Sequence, residues 1–120
     1  MPNKVNLLEK LGQFQDYWHP RIVGDLNGQQ VKLAKLKGEF IWHAHEQEDE
    51  LFYVVEGSLD LEFRDRTVQL QAGEFIIVPK GVEHRPVARE EVSIMLFEPA
   101  STRNTGNVTS DLTRSDLERL

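Results

Sequence analysis

The pattern that most restricts this chain is a succession of short, strand-like runs separated by turn residues, with no long helical periodicity between them. Leu59, Leu61 and Phe63 alternate with Asp60 and Glu62, the period-2 signature of a sheet with one core face and one wet face. Asn27-Gly28 joins runs at 22–26 and 29–36. A type I′ turn favours that dipeptide because both central residues need positive φ. Further runs fall at 40–45, 51–55, 58–63, 67–70, 75–78, 84–87 and 92–97, and Arg64-Asp65-Arg66 supplies one of the turns. Many short strands with close turns predict an all-β antiparallel sandwich or barrel.

With 120 residues there is room for one such domain, its core over about 20–98 and a tail over 99–120. At the N-terminus Val5, Leu7, Leu8 and Leu11 have helix-compatible spacing and Gly12 is a natural stop, which predicts a short helical segment able to pack on a partner. After Pro99 the composition turns to Ser, Thr, Asn, Arg and Asp, so 101–109 is expected to be irregular. Ser115-Asp-Leu-Glu118 reads as a capping box that would open a terminal helical turn.

Composition removes several classes of function. No apolar run approaches the ~20 residues that span a bilayer, and the first residues lack the apolar stretch of a secretory signal. There is no cysteine, hence neither disulfide nor thiolate chemistry, and a cytoplasmic setting is expected. A net charge of −6 lacks the electrostatic footprint of a nucleic-acid binder. Lys32, Lys35 and Lys37 cluster locally, and a solvated strand face accounts for them.

Three of the four histidines belong to one pattern. His43 and His45, two apart on an expected strand, project from the same face. Glu50 opens the next strand beyond an acidic loop and can face them, and His84 follows the turn Pro79-Lys80-Gly81. Three imidazoles and a carboxylate suit one divalent transition metal ion (Fe, Mn, Ni, Co or Zn) with positions left for water or substrate. The competing account is four ordinary polar residues, buried and satisfied or lying on the surface.

His43-Ala44-His45, four residues, Glu50, six residues and Gly57 resembles the first cupin motif. Gly73, five residues, Pro79-Lys80-Gly81, two residues and His84 resembles the second. Together they cover roughly 38–88. The chain departs from the pattern at two places: Gly38 precedes His43 by four intervening residues instead of five, and Ala88 stands where asparagine is common. The resemblance implies a cupin double-stranded β-helix, a jelly-roll barrel, with His43, His45, Glu50 and His84 as metal ligands. The whole chain is similar to small single-domain bacterial cupins often described as sugar-phosphate-isomerase-like (mannose-6-phosphate-isomerase-like), which are dimers.

Alternation from the ligands selects Ile41, Phe52, Val54, Val82 and Pro86 as pocket walls, although core packing explains them equally well. No second polar group is marked as a general base. Arg103 and Asn104 could close over a barrel mouth, but a solvated tail is the commoner outcome. The functions compatible with this reading are a metal-dependent enzyme acting on a small organic molecule, of dioxygenase or sugar-isomerase type, or a non-catalytic cupin that binds or senses a small ligand. A homodimer is the expected assembly, with neither nucleic acid nor membrane as partner.

Overall fold

The structure, a computed structural model, describes residues 2–120. One short helix, α1 (Leu7–Leu11), precedes seven strands: β1 (Arg21–Leu26), β2 (Gln29–Glu39), β3 (Glu50–Glu56), β4 (Ser58–Phe63), β5 (Thr67–Gln71), β6 (Phe75–Val78) and β7 (His84–Pro99). All strand pairs are antiparallel. The main path runs β1-β2-β7-β3-β6, with β4 joined to β7 and β5 to β4. Among the described residues no helix is long and apolar enough to cross a membrane.

Closure of the barrel depends on β7. Its first half pairs with β4, through Phe63↔His84 to Asp60↔Val87, and its second half pairs with β3, through Glu56↔Ser93 to Leu51↔Phe97. β2 follows it on the other side along nearly the whole length, with a register shift between Leu36 and Gly38. Gly38 has φ +87, a conformation that glycine adopts without penalty. The sequence suggested two strands here, broken at Arg89-Glu90-Glu91. The strand runs through because β2 pairs with it on both sides, at Ala88 and at Val92, and the exposed residues between bulge out of the ladder.

Period-2 burial is plain on β3, where Glu50, Phe52 and Val54 are buried and the residues between them are only partly so. Phe52 and Val54 meet Ile94 and Leu96 of β7 and Ala34 and Leu36 of β2 in the main core. The other face of the same sheet is apolar too. Leu51 stands between Phe97 and Ile77, and Tyr53 between Met95 and Phe75. Leu11 and Phe14 cover part of this face by packing on Leu33. Phe75 and Ile77, on the edge strand β6, remain more than half exposed.

Several expectations are corrected by the structure. Residues 40–45 form no strand; only an isolated bridge joins His43 to His84. Their backbone groups pair individually instead: Phe40 N–H donates to Pro86 O, and Ala44 N–H donates to Asn107 Oδ1. The helix spans only Leu7–Leu11, with Asn6 as N-cap, and Leu11 turns onto the chain's own sheet, while Val5 and Leu8 stay exposed.

The tail is not loose. Thr102 and Thr105 are buried, and Gly106 sits so close to Ala44 that a Cβ there would lie 2.3 Å from the Ala44 carbonyl oxygen. No helix forms at 115–118. The Glu118 carbonyl accepts from Ile22 N–H and Leu120 N–H donates to Ile22 O, so pairing along β1 replaces the capping box. Lys32 and Lys35 do not lie on a solvated face. Lys32 points into the barrel, and Lys35 is buried with its ammonium donating to Phe14 O.

Candidate metal centre

The fold brings together all four residues of the His/His/Glu/His pattern. One ligand atom from each of His43, His45, Glu50 and His84 lies within 4.8 Å of the others, and all four side chains are buried. His43 and His84 are locked by reciprocal backbone hydrogen bonds, 3.1 and 2.9 Å long. His45 is tied through its carbonyl, which accepts from Gly81 N–H at 2.8 Å, the glycine of the turn that delivers His84. Glu50 opens β3 opposite Val78, the last residue of β6. Glu50 Oε1 lies 3.1 Å from His45 Nε2 and 3.3 Å from His84 Nε2.

Hydrogen bonding sets the imidazole tautomers. His43 Nδ1 is 2.9 Å from Ile41 O, and His84 Nδ1 is 2.9 Å from Val82 O. A carbonyl only accepts, so Nδ1 carries the hydrogen in both rings and Nε2 presents its lone pair. Burial and the neighbouring His84 hold His43 down to about 4, and it is neutral at physiological pH. For Glu50, burial favours the protonated form, but the neighbouring Glu98 carboxyl and the His45 and His84 rings outweigh it and keep the carboxyl well below its usual range. Neutral imidazole with carboxylate is the protonation state that ligation requires.

Buried polar atoms are normally partnered, and an unpaired one costs about 1–3 kcal/mol. Here His45 Nδ1 and Nε2, Glu50 Oε1 and His84 Nε2 are buried with no hydrogen-bond partner. With His43 beside them, these unpaired atoms of three residues make a mutually close donor set that fits a divalent cation of the transition series.

Two residues that the sequence did not mark as part of the site, Lys32 and Glu98, stand behind Glu50. Lys32 Nζ donates to Glu98 Oε2 at 2.7 Å, and both side chains are 2% exposed. Burial pushes the Glu98 carboxyl well up, and the charge of Glu50 adds to this while Lys32 opposes it. The signal was available: Glu98 has the parity of Ile94 and Leu96, and Lys32 that of Ala34 and Leu36.

The centre opens on a cavity with about 40 Å³ available to the centres of water molecules. His43 and Glu50 are at its polar end, and Leu36, Phe52, Pro86 and Leu96 are among its apolar walls. Trp18 and Phe40 stack on each other at 4.7 Å and line it as well. Asn104 also reaches it, but its Nδ2 donates to Leu112 O and its Oδ1 accepts from Arg114 N–H.

Of the five walls selected by alternation, Phe52 and Pro86 line this cavity and three do not. Val54 is fully buried in the main core. Ile41 is half-buried in the irregular segment before His43, where strand parity has no meaning. Val82 is 37% exposed and borders a surface depression with Phe63 and Ile77, because the turn at Pro79–Gly81 breaks the alternation counted back from His84. Arg103 lies along a separate surface groove beside His45, Glu46 and Glu48.

Fold and centre together define a class. Residues 29–98 match the cupin domain family, more than half of the chain, and the protein belongs to that family. Among solved structures it is similar to a cupin-2 domain protein from Shewanella frigidimarina NCIMB 400, with 48% identity, a TM-score of 0.78, and coverage of 79% of this chain and 93% of that one. It is also similar to protein NMB1881 from Neisseria meningitidis, with 34% identity, a TM-score of 0.75, and coverage of 82% and 100%. The uncharacterized protein YdbB of Bacillus subtilis (strain 168) is 36% identical over 86 residues, 71% of this chain and 76% of that protein.

Proposed function

We propose that His43, His45, Glu50 and His84 hold one divalent transition metal ion (Fe, Mn, Ni, Co or Zn) and that the protein is a metal-dependent enzyme acting on a small organic molecule. The single observation that carries this is the set of four buried ligand groups within 4.8 Å, with atoms of His45, Glu50 and His84 left unpaired. When bound, the metal would supply Lewis-acid or redox chemistry to a substrate oxygen. The chain's own residues do the rest. Ile41 O and Val82 O fix two ligand rings, the apolar walls exclude water, and the Glu98 carboxyl can hold a proton beside Glu50.

Two reaction types remain. An apolar cavity favours an oxygen-dependent oxidation over an isomerisation, which needs a proton carrier that the cavity walls do not mark beyond the ligands themselves. A cysteine-free chain suits a reducing cytoplasm. We also propose a homodimer through the outer sheet face, because Phe75, Ile77 and their cross-strand neighbours form an apolar surface of the kind that partners cover.

The test is turnover by protein loaded in turn with each metal, following oxygen uptake with phenols or diketones and isomer formation with sugar phosphates. Activity in the wild type that is absent from His43→Ala supports an enzyme. Ligand binding without turnover under every metal would replace it with a non-catalytic binding or sensing cupin.

A further inference from the structure

Trp18 is one of two non-glycine residues with positive φ among the described residues, and the other, Asn27, sits in a tight turn where such backbone is ordinary. A bulky residue at φ 60 is strained, and strain of this kind persists only where the surroundings impose it. Here they do. Trp18 N–H donates to Lys35 O at 2.9 Å, and the indole Nε1–H donates to Lys37 O at 3.0 Å. The result is a ring whose polar atom is already used, laid almost parallel to Phe40 (interplanar angle 19°) on the wall of the cavity that contains His43 and Glu50.

The polar groups of that cavity point to the same occupant. The Asn104 amide is held by the tail, with one Nδ2 hydrogen donated to Leu112 O and one Oδ1 lone pair taken by Arg114 N–H. No arginine or lysine lines it. Once the metal ligands are counted, the side-chain polar capacity left in the cavity is the second hydrogen and second lone pair of that one amide. A sugar phosphate would bury several hydroxyls and a dianion there with at most that amide as partner, and each group left over would cost an unsatisfied polar group. A flat apolar body would bury only surface that gains from leaving water, and it would gain further from aromatic contact.

We infer that the ligand of this centre is a small, flat, largely apolar molecule with a single oxygen-bearing head for the metal, and that Trp18 is the residue that selects it. The part about the head rests on the metal reading given above; the part about the body rests on the cavity alone.

The experiment separates the two. Protein loaded with zinc, which is redox-inert, is titrated calorimetrically with catechol and with glucose 6-phosphate. Metal-free protein is titrated with fluorobenzene, observed by fluorine NMR. The variants are Trp18→Gly, which removes the ring and relaxes the backbone at a positive-φ position, and Trp18→Phe, which keeps an aromatic wall. Zinc uptake is measured for each.

The expected result is catechol binding to the zinc protein, weakened about tenfold or more in Trp18→Gly and largely retained in Trp18→Phe. Fluorobenzene should bind the metal-free wild type and be lost in Trp18→Gly, whose zinc uptake stays at the wild-type level. Glucose 6-phosphate binding as tightly as catechol would overturn the inference, and so would fluorobenzene that fails to bind or binds Trp18→Gly equally. A wild type that takes up no zinc would instead remove the metal reading, with fluorobenzene still deciding the wall.

Discussion

Lys32 and Glu98, 66 residues apart in sequence, meet inside the barrel at 2.7 Å with both side chains all but inaccessible to water. β2 and β7 place them on adjacent strands, both facing inward behind Glu50. The Lys32 ammonium is buried against a carboxyl that is itself pushed towards its protonated form, and losing a buried hydrogen bond to a charged group costs about 1.5–3 kcal/mol. Lys32→Met is therefore expected to lower unfolding stability on that scale, whereas Lys32→Met with Glu98→Leu should recover most of the loss. Urea denaturation of both variants checks it. Additive losses in the double variant would mean the two side chains are not coupled.

His43 gives the metal-free protein an acid limit. Its folded-state pKa, about 4, lies below the ordinary 6.5 because burial disfavours the charged ring. Between those values the unfolded chain takes up a proton that the folded one refuses. Stability from this residue is thus full above about pH 6.5 and falls as pH drops towards 4, by roughly 3 kcal/mol. Chelator-treated His43→Asn protein should show a shallower decline over this window in pH-dependent denaturation. Equal slopes for wild type and variant would contradict the assignment.

Gly106 is packed against the centre from the tail. It has φ +56, and a Cβ would meet the Ala44 carbonyl oxygen at 2.3 Å and His43 Cδ2 at 3.1 Å. Gly106→Ala must push the tail away from the segment carrying His43 and His45. A loss of about 2 kcal/mol or more is expected, with weaker metal uptake. Thermal melting together with metal stoichiometry reads both effects.

The proposed dimer depends on the outer face of the sheet. Phe75→Glu with Ile77→Lys puts charge on an edge strand without touching the core. Light scattering should give a dimer for the wild type and a monomer for the double variant. A monomeric wild type at micromolar concentration would remove the proposal.

The four clustered residues were legible because the pattern rests on local spacing: two histidines separated by one residue, a glutamate opening a strand, and a histidine after a Pro-x-Gly turn. The all-β class was legible from alternation. What escaped depended on parity carried across the barrel. Lys32 and Glu98 were hidden because charged residues on strands are usually solvated, and only the inward company of Ala34 and Leu96 reveals them. Trp18 lies outside any periodic element, in a segment whose path is fixed by hydrogen bonds to β2. Val82 and Ile41 were misplaced for the converse reason, since alternation was extended into backbone that is not strand.

Metal content tests the His43/His45/Glu50/His84 centre most directly. Elemental analysis of protein purified without added metal or chelator, and again after reconstitution, should give about one equivalent of a divalent transition metal per chain, lost from both His43→Ala and His84→Ala while their circular dichroism stays β-rich. A wild type that binds no metal even after reconstitution, or variants that retain a full equivalent, would contradict it.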